Sequence, residues 1–360
     1  MNSILITGGA GFVGSSLAIL FREGFPKAKI TVFDNLHRRG SELNLSRLQA
    51  AGITFVHGDI RVPSDFEALS KEKFDLFIEG SAEPSVLSGH QGDSPLFCLE
   101  TNLFGTAHCL EFARKNCGSL LFLSTSRVYS IPELQWIPLE ATETRFTHKS
   151  SGKQRGVSEK GISEDFSTSN YRSFYGATKL ASELLLQEYA HAFGLKCLVN
   201  RCSVITGPWQ WGKVDQGVFT LWLAKHYFKG ALQYTGFEGK GLQVRDLLHP
   251  RDLFFLILKQ IENTQKWDGQ VYNVGGGLTQ SVSLRELTKI CEEITGNQIE
   301  IGSNLKTSPV DIPYFVTDSS LVEKTYSWKP SVSVPEIMKE IHTWLKQHES
   351  SLKPIFGETK

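Results

Sequence analysis

The 360-residue sequence lacks an excess of either charge, because 38 lysines and arginines balance 38 aspartates and glutamates. Nucleic acids and anionic membranes usually require a basic surface, so neither is expected as the main partner. Long apolar runs are also missing, since the longest, residues 253–258, is far shorter than a membrane span. With 40% hydrophobic and 21% charged residues, the composition is that of an ordinary water-soluble protein.

Two further sequence features are missing. The six cysteines include no C-x-x-C pair, so we expect no zinc site and no redox motif, and buried thiols in a reducing compartment are the simpler interpretation. Met1 and Asn2 lead straight into an apolar run, without the basic stretch, apolar core and cleavage site of a secretory signal. We therefore predict a cytoplasmic protein.

Short apolar runs alternate with helical patterns in the first part of the chain. The runs are residues 4–6, 30–33, 53–56, 76–78, 120–123 and 197–199. They are continuous, as in strands buried on both faces, and amphipathic helices are predicted over 104–115 and 175–193. This alternation predicts an α/β fold with a doubly wound parallel sheet, in which ligands bind beyond the carboxyl ends of the strands. Five residues at those ends are expected to face the crevice: Gly8, Asp34, Asp59, Thr125 and Arg201.

A glycine-rich turn, TGGAGFVG at residues 7–14, follows the first predicted strand and opens a helix. Side chains at Gly8, Gly11 or Gly14 would block the approach of a pyrophosphate and of the helix to the sheet. The helix N-terminus offers free N–H groups and the positive end of its dipole to phosphates. Asp34 lies 34 − 14 = 20 residues after the last glycine, where a carboxylate binds the adenosine ribose hydroxyls. The pattern predicts a dinucleotide site.

The choice of dinucleotide depends on the same region. The carboxylate of Asp34 would repel the 2′-phosphate of NADP, so NAD is the expected cofactor. Arg38 and Arg39 follow closely and could reach such a phosphate, or could simply be solvated. NADP therefore stays open as an alternative.

A tyrosine and a lysine stand one helical turn apart at the start of the predicted helix 175–193. Tyr175 and Lys179, at positions i and i+4, share a helix face and can meet the same ligand. A neighbouring cation favours the phenolate, and lowering a tyrosine pKa from about 10 to about 7 requires roughly 4 kcal/mol. Thr125 ends the fifth predicted strand, where its hydroxyl could hold a substrate oxygen and relay its proton.

These motifs together resemble the extended short-chain dehydrogenase/reductase superfamily, in its NAD-dependent epimerase/dehydratase branch, over nearly the whole chain up to about residue 345. The resemblance implies a Rossmann-like sheet with a smaller C-terminal α/β substrate domain. It implies that Tyr175 is the base, that Lys179 binds the nicotinamide ribose, and that Thr125 is the hydroxyl partner. It also implies a nucleotide-sugar substrate and a homodimer built through a four-helix contact that includes helix 175–193.

The resemblance further implies two sets of binding residues. The cofactor would contact Gly8, Gly11, Phe12, Val13, Gly14, Asp34, Asn35, Asp59, Ile60, Ser81, Asn102, Tyr175, Lys179 and Ser203, with Asn102 as the structural asparagine behind the site. The substrate would contact Glu83, Thr125, Gln216, Arg245 and Asp311. Arg245 would bind the nucleotide diphosphate, although a surface ion pair with Asp246 is an alternative for it.

Later parts of the sequence suggest how the chain is divided. Polar residues 130–170 are interpreted as a long excursion that covers the site, and a strand is predicted near 243–249. We predict an NAD-binding domain from residues 1–203 and about 243–274. A substrate-binding domain would comprise about 204–242 and 275–348, ending in a helix over 334–347. Residues 349–360 are expected to form a frayed tail.

Arg127 bears on the type of reaction. Relatives that remove water or carbon dioxide usually carry an acid just after the catalytic hydroxyl, whereas this chain reads Thr125-Ser126-Arg127, and an arginine cannot donate a proton in that role. We therefore favour epimerisation, by transient oxidation at a sugar carbon and return of hydride to the other face. The alternatives are an NAD(P)-dependent nucleotide-sugar dehydrogenase or reductase, a 4,6-dehydratase, and a non-catalytic dinucleotide sensor.

Several segments are similar to the subgroup of CDP-paratose 2-epimerases, also called CDP-tyvelose epimerases, which implies oxidation at C2. They are residues 33–36, 55–61, 79–85, 143–146, 207–210, 215–217 and 243–246. Two positions depart from relatives. Val204 stands where many carry a substrate-binding asparagine, and Ser308 where many carry a second phosphate-binding arginine, for which Lys306 could stand in.

Overall fold

A computed structural model describes residues 1–90, 92–149, 154–212 and 216–357 of the chain. Its strands are β1 Ser3–Thr7, β2 Lys29–Asp34, β3 Thr54–His57, β4 Leu76–Glu79, β5 Leu120–Thr125, β6 Leu139–Ala141, β7 Phe146–His148, β8 Val157–Ser158, β9 Gly161–Ile162, β10 Cys197–Cys202, β11 Val204–Ile205, β12 Leu232–Thr235, β13 Val244–Leu248, β14 Gln270–Val274, β15 Ser281–Ser283, β16 Ile301–Asn304 and β17 Tyr314–Phe315. Its α-helices are α1 Phe12–Gly24, α2 Asn44–Ala50, α3 Leu96–Leu99, α4 Gly105–Asn116, α5 Ile131–Gln135, α6 Phe174–Phe193, α7 Val218–Phe228, α8 Pro250–Ile261, α9 Leu284–Thr295, α10 Ser320–Tyr326, α11 Val334–Gln347 and α12 Glu349–Phe356.

A parallel sheet lies at the centre, and within the described ranges its seven strands follow the order β14-β10-β5-β4-β1-β2-β3. Side chains of β1 alternate between two apolar clusters: Ile4 and Ile6 pack with α1 and α8 on one face, and Leu5 packs with α4 and α6 on the other. The sheet therefore carries helices on both faces, and the doubly wound prediction is confirmed. Its carboxyl ends bring the turns after β1, β2, β4 and β5 to one edge.

A smaller α/β part completes the chain. Strand β13 lies between β11 and β15 and also pairs with β17, while α7, α9, α11 and α12 pack around a separate apolar cluster. The sequence placed residues 243–249 in the NAD-binding domain, but β13 pairs in this second sheet, and only α8 and β14 return to the first. The two-domain division itself stays a proposal.

The end of the chain differs from the expected frayed tail. Helix α12 covers Glu349–Phe356, and its Leu352 and Phe356 are each 1% exposed in the second apolar cluster. Apolar side chains spaced four apart on one helix face explain why this segment docks. Residues 358–360, also assigned to the tail, lie outside the described residues. Over the described ranges, no helix combines the length and apolarity that crossing a membrane requires.

The polar excursion at residues 130–170 forms short hairpins and the helix α5 over its described part, which omits 150–153. Its β6–β7 hairpin is anchored to the second sheet. Arg145 forms an ion pair with Glu286 at the start of α9, 2.6 Å from Nη2 to Oε2, and the backbone N–H of Phe146 donates to the carbonyl of Leu242.

Candidate functional site

The glycine turn after β1 is tightly closed. Gly8 has φ +63°, and a Cβ there would lie 2.8 Å from the carbonyl oxygen of Gly80. A Cβ on Gly14 would lie 2.3 Å from the carbonyl oxygen of Gly8. The absence of side chains lets the first turn of α1 approach the end of β1, so backbone N–H groups border the cavity described below.

Asp34, at the end of β2, is fixed against this turn. Its two carboxylate oxygens accept hydrogen bonds from the N–H groups of Ala10 at 3.0 Å and Leu36 at 2.7 Å. Burial raises the pKa of the Asp34 carboxyl, and these N–H donors oppose the rise. Arg38, the possible partner of a 2′-phosphate, instead donates to the carbonyl of Trp211 at 2.7 Å and to the side chain of Gln216. The protein thus already engages one of the two guanidinium groups, Arg38 and Arg39, on which the NADP alternative depended.

A second carboxylate, Asp59, lies beyond β3. Arg61 donates two hydrogen bonds to it, from Nε to Oδ1 at 3.0 Å and from Nη2 to Oδ2 at 2.7 Å. The amide of Asn35 also donates to Oδ2, at 2.9 Å. Burial works against ionisation, but these hydrogen bonds outweigh it and lower the pKa of Asp59 to about 2. Asp59 is therefore ionised at neutral pH and paired with Arg61 at this end of the cavity.

The hydroxyl groups of Thr125 and Tyr175 come together where β5 ends and α6 begins. Ser173 caps α6 by accepting the N–H of Gly176, and a Cβ on Gly176 would lie 2.0 Å from the carbonyl oxygen of Arg127. The helix start therefore presses against the backbone that follows Thr125. Burial raises the pKa of Tyr175 to about 12, and a hydrogen bond with Thr125 opposes that rise. Without additional cations, the phenol stays protonated at neutral pH.

Lys179, one helical turn after Tyr175, is 1% exposed and lines the cavity. Its Nζ lies 3.5 Å from the carbonyl of Ser81, 3.8 Å from Oε2 of Glu79, and 4.3 Å from the ring centroid of Phe122. Glu79 is fully buried, which raises its pKa, and the charge of Lys179 opposes the rise. The sequence reasoning assigned Glu79 no role, although a carboxylate closing an apolar run was a usable signal.

Asn102 is not among the residues that line the cavity described below, and its assignment to the cofactor stays a prediction. It lies in the wide helical turn Glu100–Phe104 and is fully buried. Its amide donates to the carbonyl of Glu83 at 3.0 Å and to Thr178 at 3.2 Å, and its oxygen accepts the N–H of Glu83 at 2.7 Å. With its polar atoms engaged in this way, Asn102 ties the loop after β4 to α6, and the structural role implied by the resemblance stays a prediction.

One cavity of about 670 Å³ runs along the carboxyl edge of the first sheet to the second part. The other predicted site residues line it: Gly8, Gly11, Phe12, Val13, Gly14, Asp34, Asn35, Asp59, Ile60, Ser81, Glu83, Thr125, Tyr175, Lys179, Ser203, Gln216, Arg245 and Asp311. Arg201, expected to face the crevice, instead forms a buried ion pair with Glu183 on α6. Asp215, from one of the similar segments, lies outside the described residues.

Arg245 reaches this cavity from β13. Its Nη2 lies 3.1 Å from Oδ1 of Asp311 and 2.7 Å from the carbonyl of Ile312. Asp246 is 1% exposed and accepts the N–H groups of Gly277 and Thr317 instead. The alternative ion pair between Arg245 and Asp246 is therefore wrong.

The two positions that depart from relatives also border the cavity. Val204 and Ser308 both contribute to its lining. Lys306, which could have replaced a phosphate-binding arginine at 308, is exposed on the segment after β16 and does not line the cavity. Glu83, in contrast, turns inward, and its Oε1 accepts the amide of Gln216 at 3.3 Å.

Known proteins resemble this chain over nearly its whole length. Residues 4–275 match the NAD dependent epimerase/dehydratase family. The chain is 32% identical to CDP-paratose 2-epimerase of Salmonella typhi over 95% of this chain and 98% of that protein, and 24% identical to UDP-glucose 4-epimerase of Erwinia amylovora over 96% and 98%. A UDP-glucuronic acid 4-epimerase variant from Bacillus cereus, in complex with UDP-4-deoxy-4-fluoro-glucuronic acid and NAD, superposes with a TM-score of 0.77 at 23% identity, covering 96% of this chain and 99% of that chain.

The chain belongs to the NAD-dependent epimerase/dehydratase family. It is an NAD-dependent enzyme of a family whose relatives are nucleotide-sugar epimerases and dehydratases. The residues present fit the cofactor: side chains at Gly8 and Gly14 would collide with neighbouring backbone, which keeps the turn bare, and Asp34 stands fixed beside it.

Proposed function

We propose that the protein is an NAD-dependent nucleotide-sugar epimerase. The observation that carries the proposal is the convergence of Thr125, Tyr175 and Lys179 on one cavity, with Arg127 beside them where an elimination would require an acid. When bound, NAD would accept a hydride from a sugar carbon and return it to the opposite face. The protein's own task is to hold the sugar, exclude water and move a proton.

Tyr175 and Thr125 would carry out the transfer of the proton from the sugar hydroxyl. The phenolate of Tyr175 would take the proton of the sugar hydroxyl while Thr125 aligns the oxygen, and the resulting phenol would return that proton after reduction. From a pKa of about 12, reaching neutral pH takes roughly five units, or about 7 kcal/mol of stabilisation of the phenolate. Lys179 is already present at that value, so the positive charge of the oxidised cofactor would have to supply this stabilisation.

The finer proposal is epimerisation at C2 of a CDP-linked hexose, of the CDP-paratose or CDP-tyvelose type. It is supported by the 32% identity with CDP-paratose 2-epimerase of Salmonella typhi over almost the full length of both chains. Arg245 would bind the diphosphate, while Glu83 and Gln216 would contact the sugar near the reaction centre.

The test is to incubate the purified protein with CDP-, UDP- and dTDP-hexoses without added reductant and to follow the sugar by NMR. We expect interconversion of two epimers at an unchanged redox level. Tyr175→Phe should abolish it, while Tyr171→Phe, which alters an exposed phenol, should not. Activity that survives in Tyr175→Phe, or no epimer across the panel, would refute the proposal.

The same assay separates the alternatives. A dehydrogenase or reductase would change absorbance at the nicotinamide band in proportion to substrate, and only with added NAD or NADP. A dehydratase would release a 4-keto-6-deoxy sugar. A dinucleotide sensor would bind NAD without turning over any sugar.

We further propose a homodimer that forms through the faces of α4 and α6. These helices pack together, and Phe104 and Leu184 nearby are 58% and 57% exposed, which is unusual for large apolar side chains. Leu184→Glu should shift the mass measured by light scattering from dimer to monomer. Leu305→Glu, which alters an exposed leucine on another segment, is the control. A cytoplasmic location stays a prediction, testable by cell fractionation.

A further inference from the structure

Arg127 lines the cavity, although it cannot act as an acid there, so its position calls for another role. Its backbone N–H donates to Oγ1 of Thr125 at 3.2 Å, and its Nη1 lies 3.4 Å from the carbonyl of Val310. The side chain lines the cavity together with Tyr175 and Arg245. Arg127 therefore lies between the reaction centre and the arginine on β13.

The charges around Arg127 do not balance. Asp311 is the nearby carboxylate, but its Oδ1 is already held by Nη2 of Arg245 at 3.1 Å and by the N–H of Ile312 at 2.8 Å. Asp246 is buried and turned towards other backbone groups. Over the described ranges, no carboxylate lies within 4.0 Å of the Arg127 guanidinium.

Arg245 thus pairs with Asp311, whereas the guanidinium of Arg127 has no carboxylate in contact within the described ranges. Burial lowers the pKa of Arg127, and burial together with the charge of Arg127 lowers the pKa of Arg245 to about 10. An uncompensated cation in such a place is unfavourable until an anion arrives. We therefore expect the ligand to carry the negative charge that pairs with Arg127.

We propose that Arg127 is a substrate-binding residue that, with Arg245, holds an anionic group of the nucleotide sugar. This inference rests on the proposed nucleotide-sugar substrate. Two groups share the required chemistry, an oxygen of the diphosphate and a carboxylate on the sugar, because both accept paired N–H donors of a guanidinium.

The surroundings favour the diphosphate. Arg127 and Arg245 both contact the segment 310–312, so their guanidinium groups converge on one region of the cavity. The hydroxyl of Ser308 borders the same region and can donate to a phosphate oxygen. Many relatives bind the diphosphate with a second arginine, and Arg127 would supply that second cation here. Lys306, the other candidate, is exposed outside the cavity.

The experiment measures binding by calorimetry, with CDP and UDP against CMP and UMP as probes. Arg127→Gln should weaken binding of the matching diphosphate about 10- to 100-fold and binding of its monophosphate much less. Arg127→Lys keeps the charge without the paired donors and should fall in between. Arg155→Gln, which removes an exposed guanidinium, is the matched control and should bind as the wild type does.

A second arm compares UDP-glucuronic acid with UDP-glucose. If a sugar carboxylate is the anion, Arg127→Gln loses affinity for the uronic acid sugar alone. Unchanged affinity for every diphosphate and uronic acid sugar would overturn the proposal, provided that the variant melts like the wild type and retains NAD; Arg127→Lys serves if it does not. Diphosphate binding that depends on Arg127 without epimerisation would refute only the proposed function.

Discussion

Replacing Glu183 by glutamine should destabilise the protein, because it would leave a buried arginine without its counterion. Glu183 is 2% and Arg201 9% exposed, and Nε of Arg201 lies 3.1 Å from both carboxylate oxygens, with Nη2 2.7 Å from Oε2. Ser124, the neighbour of Thr125, also donates to this carboxylate. The pair therefore fixes α6, which carries the tyrosine and lysine, to the ends of β5 and β10.

The expected size follows from burial. Removing one partner of a buried ion pair reduces the free energy of unfolding by about 3–5 kcal/mol. For 360 residues the unfolding entropy is roughly 0.76 kcal/mol per kelvin, so Tm should fall by about 4–7 °C. Removing both charges, in Glu183→Gln with Arg201→Met, leaves neither group unpaired and should cost less than the sum of the two single changes.

Differential scanning calorimetry of the four proteins at one NAD concentration measures these values. Asp165→Asn breaks the exposed pair between Arg155 and Asp165 and should change Tm by less than about 1 °C. The reasoning fails if Glu183→Gln melts within that margin of the wild type, or if the effects of the two single changes simply add.

Three further predictions concern the site. Gly14→Ala should yield protein without NAD, because the new Cβ would lie 2.3 Å from the carbonyl oxygen of Gly8. Chromatography of the nucleotide released on denaturation measures the NAD content. An NAD content equal to that of the wild type would contradict the prediction. Burial raises the pKa of Tyr175 from about 10 to about 12, so the tyrosine ionises more readily in the unfolded chain than in the folded protein. The contribution of the buried phenol to the free energy of unfolding is therefore complete below pH 10 and falls as the pH rises through 12. Tyr175→Phe should therefore lose less stability than wild type between urea titrations at pH 9 and pH 11, and equal losses would argue against this pKa. Glu79→Gln should move the acidic limb of the pH–rate profile to lower pH, because it removes the carboxylate 3.8 Å from Lys179; an unmoved limb would show that Glu79 does not tune the site.

Local patterns in the sequence accounted for the elements that carry the site. The six continuous apolar runs became six of the seven strands of the parallel sheet in the described ranges, while β14 was not predicted. Helix α6 begins one residue before its predicted start at Tyr175. The glycine turn at residues 7–14 and the pair Tyr175 and Lys179 could be found in the same way. Strand burial, turn closure and helix periodicity are set by residues close together along the chain. They can therefore be predicted from the sequence without the tertiary structure.

Contacts between distant segments could not be found in that way. The sequence left open whether Arg245 pairs with Asp246, and the fold joins it to Asp311, 66 residues away. Arg201 was expected at the crevice, and the fold buries it against α6. The partner of a long charged side chain depends on which segments the tertiary structure brings within a few ångströms, and neighbouring position in the chain does not determine this.

The sequence by itself therefore determined the glycine-rich turn, the pair Tyr175 and Lys179 that we propose to be catalytic, and most of the parallel sheet. Only the tertiary structure decided that Asn102 joins the loop after β4 to α6, that β13 belongs to the second sheet, and that Arg127 lines the cavity. The physical reason is the same in each case. Hydrogen-bond partners, sheet pairing and charge balance are properties of side chains and strands that meet in space, whereas the periodicity that forms a helix or a strand is already present in its own few residues.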